Sequence, residues 1–247
     1  MNPLEMFSGL FSNAEEALPK DSLPERSLIK NTQKGSPMKH LVVDIDQTLV
    51  NSGVSWWRWM EDLCEVSIPF PALRYTLGPE SIEYDLSSYF IEAYLKSKGL
   101  HSSNNTPQAY EMAHTALLSY WGIPTLYLNL KPYKGASRAL QRVSEAGWWI
   151  TFASYTKKGH MGSKFDFLDR EFPFIKWGLN GSFVATQEKG CLKADAVIDD
   201  RHLYLNQFKD EKCKKILFNT PYTQCQNLEV YATLLTDWEN LPEILGI

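Results

Sequence analysis

The run Leu41-Val42-Val43, ending abruptly in Asp44-Ile45-Asp46, constrains this chain more than any other stretch. It is apolar, rich in β-branched residues and too short for a buried helix, so it reads as a strand of a buried parallel sheet. Further apolar runs follow at intervals: Trp148 to Ala153 ending at Ser154, Phe183-Val184-Ala185, Ala196-Val197-Ile198 ending at Asp199-Asp200, and Lys215 to Phe218. Between them lie helical patterns, one from Gly135 to Ala146 with Ala139, Leu140 and Val143 on its apolar face, and one around residues 160 to 171. Strands alternating with helices predict an α/β fold built on a doubly wound parallel sheet. Ligands of such sheets sit beyond the carboxyl ends of the strands. Asp44, Asp46, Ser154, Asp199 and Asp200 all fall at those ends.

The segment from residue 54 to about 125 differs in texture. Trp56, Trp57, Trp59, Met60 and Leu63 recur at helical spacing, as do Tyr89, Phe90, Ala93, Tyr94 and Leu95, and residues 107 to 120 have good helical character. Prolines at 69, 71, 79 and 107 divide it, which predicts a mostly helical cap inserted after the first strand. The sheet-bearing core is then 38–53 with 126–247. Residues 1–37, rich in Ser, Pro, Asn, Glu and Lys, read as a flexible N-terminal extension.

Bulk properties exclude several function classes. A net charge of −4 gives no general attraction to nucleic acid or to an anionic membrane. No stretch approaches the roughly 20 apolar residues that span a bilayer, and the N-terminus lacks the pattern of a secretory signal. Four cysteines without a CxxC pair support neither a metal site nor a redox motif. A cytoplasmic protein with reduced thiols is the expectation, and a homodimer stays open.

Asp-x-Asp-x-Thr at residues 44–48 is by itself a weak motif, common in surface loops. It gains weight from the apolar strand before it, the second acidic pair, the Ser-ended strand, and Lys189 a short loop before Asp199. Carboxylates crowded at neighbouring strand ends need a cation, and a hard divalent ion such as Mg²⁺ suits oxygen ligands. Asp44 is then the candidate nucleophile and Asp46, two residues on, the acid and base that serves the leaving alkoxide and the attacking water. Ser154 and Lys189 are placed on the phosphoryl oxygens. Asp44, Asp46 (through its carbonyl) and Asp200 are the expected metal ligands, with Asp199 in the outer shell. Lys193 lies on the approach to the strand and is passed over in favour of Lys189. Gly162-Ser163-Lys164 lacks the glycine spacing of a phosphate-cradling loop, and the five histidines lack metal-ligand spacing.

These motifs, in this order, resemble the four signature motifs of the haloacid dehalogenase superfamily across residues 39 to 247. Asp46 resembles the phosphatase branch. A closer similarity is to the 5′(3′)-deoxyribonucleotidases: Leu126-Tyr127-Leu128-Asn129-Leu130-Lys131-Pro132 with Tyr133-Lys134-Gly135-Ala136, Glu188-Lys189-Gly190 leading to Ala194-Asp195-Ala196-Val197-Ile198-Asp199-Asp200-Arg201, Lys215 to Tyr222, and Leu235 to Asn240. The resemblance implies Mg²⁺-dependent hydrolysis of (deoxy)ribonucleoside 5′-monophosphates through an aspartyl-phosphate, with a small-molecule nucleotide as the partner. A phage or bacterial version would suit the N-terminal tail. Tyr127 is the base-stacking residue it implies, and Trp57 is the cap aromatic considered for the substrate pocket, although tryptophans at helical spacing are more often core. Gln47 stands where that family has glycine, Tyr155 where Thr-Ser is typical, and Gln187 where arginine is common. The rival readings are a phosphatase for another small phosphomonoester such as a sugar phosphate, a polynucleotide 3′-phosphatase, and a non-catalytic phosphate-binding protein on the same fold.

Overall fold

The computed structural model describes residues 38–69, 85–100, 106–220 and 232–247. The expected N-terminal extension, Cys225 and Tyr222 lie outside the described residues. The strands are β1 (His40–Val43), β2 (Trp149–Ser154), β3 (Gly181–Ala185), β4 (Ala196–Asp199), β5 (Lys214–Phe218) and β6 (Thr233–Leu235), all parallel in the order β3-β2-β1-β4-β5-β6. Leu41, Val42 and Val43 are fully buried, because β1 has a neighbour on each edge and packed layers on both faces. The chain leaves β1 towards β2 on one side and returns to β4 on the other. The C-terminal ends of β1 and β4 are therefore the point where the winding reverses, the place such sheets reserve for ligands. The register, with Val43 beside both Phe152 and Ile198, carries the chain past the sheet edge at Asp44, Ser154 and Asp199 together.

The helices are α1 (Ser52–Cys64), α2 (Ile91–Ser97), α3 (Pro107–Leu118), α4 (Ala136–Glu145), α5 (Met161–Glu171), α6 (His202–Leu205) and α7 (Leu241–Leu245). Asn51 caps α1, accepting a 3.2 Å bond from the Val54 amide, and Thr106 caps α3 ahead of Pro107 in its first turn. On α1 the buried stripe is Trp56, Trp57, Met60 and Cys64. Trp57 packs edge-on to Phe90 at 4.7 Å, and the Trp56 indole donates to the Leu117 carbonyl at 2.9 Å, which ties α1 to α3. The short strand β6 and the single-turn α6 are two elements that the periodicity of the chain does not show. Among the described residues, no helix is long and apolar enough to cross a membrane.

Between β1 and α1 the backbone folds tightly on itself. The Leu49 amide reaches the Ile45 carbonyl at 2.8 Å, and Gln47 takes a left-handed φ of 63°. That conformation explains why glycine suits this position. Gln47 is accommodated because Gly53 leaves room: a Cβ on Gly53 would lie 2.1 Å from the Gln47 amide nitrogen. At the other end of the cap, the chain passes so close to the loop after β2 that a Cβ on Gly159 would lie 2.4 Å from the Gly122 carbonyl oxygen. The His160 ring nitrogen Nδ1 bonds the Trp121 carbonyl beside it. These contacts hold the cap exit against the carboxyl edge of the sheet.

Candidate active site

Asp44 leaves β1 with its amide bonded to the Ile198 carbonyl at 2.9 Å, so it stands directly beside Asp199 and Asp200 at the end of β4. One carboxylate oxygen from each of the three lies within 4.8 Å of the others, and all three side chains are buried. Lys189, in a 3₁₀ turn before β4, places its ammonium 2.5 Å from Asp44 Oδ1 and 2.6 Å from Asp199 Oδ2. It also sits 4.5 Å from the centre of the Tyr204 ring. The fully buried Thr48 hydroxyl lies 3.2 Å from both Asp44 Oδ2 and Asp200 Oδ1, and accepts the Asp200 amide at 3.1 Å. The second oxygen of Asp199 accepts the Arg201 amide at 2.9 Å.

Burial disfavours charge on these acids, and their mutual repulsion adds to it. Asp199 is pushed up to about 6 by burial, against the pull of Lys189, and Asp200 is raised well above the usual range by burial and by Asp199 and Asp44. Burial also works against the charge of Lys189, but Asp199 and Asp44 override it and hold its ammonium well above the normal lysine value. The donor set fits a hard divalent cation: three close carboxylates, buried, all oxygen, with Lys189 in bonding contact with two of them. Both oxygens of Asp199 are already engaged, by Lys189 and by a main-chain amide. Both oxygens of Asp44 are engaged as well, by Lys189 and by the Thr48 hydroxyl.

Asp46 faces a different set of groups. Its Oδ2 is 2.8 Å from the Lys164 ammonium and 3.3 Å from the Ser154 hydroxyl, and its Oδ1 accepts the Tyr127 hydroxyl. Lys164 also bonds the Ser154 hydroxyl and the Tyr155 carbonyl, each at 2.9 Å. Burial works to raise the Asp46 carboxyl, but Lys164 and the Tyr127 hydroxyl outweigh it and hold it below the usual range. The Asp46 carboxylate is thus turned away from the cluster of Asp44, Asp199 and Asp200.

A cavity of about 330 Å³ opens over these strand ends, lined at its floor by Asp44, Asp46, Ser154, Lys189 and Asp200. Trp56, Leu118 and Trp121 line it from the cap, and Trp56 and Trp121 meet edge to face at 5.3 Å.

The structure brings Asp44, Asp46, Ser154, Lys189, Asp199 and Asp200 together at one edge. It places the two aromatic candidates elsewhere. Tyr127 is fully buried, packed on Phe167 with its hydroxyl on Asp46, and is not part of the cavity lining. Trp57 is turned into the cap against Phe90 and Tyr89, its indole donating to the Ile68 carbonyl at 2.8 Å. The adjacent Trp56 takes the cavity face instead. Sequence reasoning passed over Lys164, which is fully buried on the apolar face of α5 with Phe167 and Leu168. A lysine at a position whose helical neighbours at i+3 and i+4 are core residues was the available signal.

A family model described as 5′ nucleotidase, deoxy (pyrimidine), cytosolic type C protein matches residues 96–242. Among solved structures, the chain is similar to one described as a predicted phosphoglycolate phosphatase from Haemophilus somnus 129pt, at 14% identity and a TM-score of 0.52 over 84% of this chain and 98% of that one. It is also similar to a conserved haloacid dehalogenase-like protein from Agrobacterium tumefaciens, at 11% identity and a TM-score of 0.50 over 85% of this chain and 98% of that one. No curated protein matches the chain.

Replacing Lys189 with methionine leaves Asp44 and Asp199 buried without their cation. The variant should lose on the order of 3–5 kcal/mol of unfolding free energy in urea titrations without divalent metal. An unchanged midpoint would show that Lys189 does not hold the cluster together.

Proposed function

We propose a substrate and mechanism for this chain on the premise that it belongs to the 5′ nucleotidase, deoxy (pyrimidine), cytosolic type C family, and so is a phosphomonoesterase of the haloacid dehalogenase type. The substrates are (deoxy)ribonucleoside 5′-monophosphates, hydrolysed to nucleoside and inorganic phosphate. One observation carries this reading: the Asp44 and Asp46 carboxylates open into a single cavity whose cap side is Trp56, Leu118 and Trp121. Phosphate would meet the acids and the cations, and a flat base would meet indole rings, a contact contributing roughly 1–3 kcal/mol to binding.

In this reading Asp46, whose carboxyl Lys164 and the Tyr127 hydroxyl hold below the usual range, takes a proton from solvent as the dianionic substrate enters. Asp44 then attacks phosphorus while the bond from phosphorus to the 5′ oxygen breaks, and Asp46 passes that proton to the departing alkoxide. Asp46 then takes a proton from water as that water attacks the aspartyl-phosphate, which releases phosphate and frees Asp44. Lys189 neutralises Asp44 so that a dianionic phosphate can approach, and Ser154 presents a hydroxyl to the phosphoryl oxygens. Mg²⁺ would be held by Asp44, Asp200 and the main-chain carbonyl of Asp46, with Asp199 behind, and would supply charge neutralisation to the transferring phosphoryl group. The expected compartment is the cytoplasm.

Phosphate release should be strongest from deoxynucleoside monophosphates in a magnesium-dependent panel that includes ribonucleotides, 3′-nucleotides and sugar phosphates. Asp44→Asn should abolish turnover, and Asp46→Asn should lower it by about 10²- to 10⁴-fold. Preference for hexose or glycerol phosphates would sink the nucleotide assignment while leaving the phosphatase intact.

The acid cluster also predicts how stability responds to metal and pH. Asp199 and Asp200 bind protons more tightly in the folded chain than in the unfolded one, so their contribution favours folding at low pH; that of Asp199 is lost as pH rises through about 6, and that of Asp200 as pH rises well above the usual carboxylate range. Mg²⁺ takes the place of those protons. Magnesium chloride should therefore raise Tm more at pH 7.5 than at pH 5, and an equal or absent shift at both would contradict a metal at this cluster.

A further inference from the structure

Tyr127 is a buried tyrosine whose ring alone would fill its site. It packs on Phe167 with ring centroids 5.7 Å apart and on His160 at 6.0 Å, as a phenylalanine could. The hydroxyl carries an extra demand, because a buried donor without a partner costs about 1–3 kcal/mol. It meets that demand on Asp46 Oδ1.

The segment that carries Tyr127 is itself held. Arg170 of α5 bonds the Tyr127 carbonyl at 3.2 Å and the Leu130 carbonyl at 3.1 Å, and the Lys164 ammonium lies 5.3 Å from the centre of the Tyr127 ring. The two oxygens of Asp46 are held by different partners. Oδ2 meets Lys164 and Ser154, and Ser154 lines the cavity that phosphate would enter. Oδ1 meets Tyr127, which lies outside the cavity lining. A bound phosphate can draw the Ser154 hydroxyl to itself, whereas the Tyr127 hydroxyl does not line the space that phosphate would enter.

We infer that Tyr127 is a positioning residue for proton transfer: its hydroxyl anchors one oxygen of Asp46 so that the other is presented to the leaving oxygen. This deepens the phosphatase mechanism proposed above and rests on the role given there to Asp46. It assigns Tyr127 to the acid rather than to the base of the substrate.

The test compares leaving groups. An alkoxide must be protonated as it departs, whereas nitrophenolate leaves without a proton. Tyr127→Phe keeps the ring and removes the hydroxyl. Its kcat on the deoxynucleotide that the wild-type enzyme hydrolyses best should fall roughly 10- to 100-fold with KM within about twofold, as loss of an orienting hydrogen bond does. The first-turnover burst of nitrophenolate from p-nitrophenyl phosphate should stay within about twofold of wild type. Asp46→Asn should show the same selectivity, more strongly. An equal loss on both substrates, or none on the nucleotide, would overturn the inference. Tyr127→Leu, which also removes the ring packing, separates folding from chemistry. If the role is merely structural, Tyr127→Leu loses Tm and activity together while Tyr127→Phe behaves as wild type on both substrates. If the wild-type enzyme prefers another alkyl phosphate, the nucleotide assignment fails and the same comparison on that substrate still decides the role of Tyr127.

Discussion

The ion pair of Lys189 with Asp44 and Asp199 is the interaction on which the rest of the site depends. Three carboxylates are buried within 4.8 Å of one another, an arrangement that folding would resist without a cation among them. The sheet creates the problem, since β1 and β4 are adjacent, β1 running into Asp44 and β4 ending at Asp199 ahead of Asp200. The 3₁₀ turn before β4 answers it by bringing Lys189 to 2.5 Å from one acid and 2.6 Å from the next. What remains of the negative charge is the reason a divalent ion fits, while burial first and mutual repulsion second make Asp199 and Asp200 cling to protons without one.

Each of the two motif carboxylates at the end of β1 has its own lysine. Asp44 is paired with Lys189 and Asp46 with Lys164, and they hydrogen-bond to different hydroxyls, Thr48 for Asp44 and Tyr127 for Asp46. Two acids two residues apart are thereby given unlike surroundings. One lies in the cluster with Asp199 and Asp200, and the other is 24% exposed at its side chain and paired with groups outside that cluster. The proposed mechanism gives the two their different roles, nucleophile for Asp44 and proton transfer for Asp46.

Much of this was legible in the sequence because strand ends are. An apolar run that stops at an acid, as at Val43-Asp44 and Ile198-Asp199, states both the strand and the edge where its side chains emerge. The strand β6 was not legible, being three residues long with Thr233 and Leu234 exposed, too short for any period to show. Helix faces were legible only to within a residue: Trp56 and Trp57 share the buried stripe of α1, and packing against Leu117 and Phe90 decides which one meets the cavity. Lys164 was hidden by its charge, since a lysine is expected at the surface and its partners Asp46 and Ser154 are distant in sequence. The family resemblance assigns Tyr127 to the base of the substrate, whereas the contact of its hydroxyl with Asp46 shows only once the cap exit is seen against the end of β1.

If Lys189 and the sheet hold Asp44 as the nucleophile of the proposed mechanism, Asp44 becomes phosphorylated during turnover. Acid quenching of a single turnover with a 5′-nucleotide carrying labelled phosphate, followed by peptide mapping, tests it directly. The account predicts label on the peptide containing Asp44, absent in Asp44→Asn. Rapid phosphate release with no covalent label at any quench time, or label on a peptide without Asp44, would contradict it.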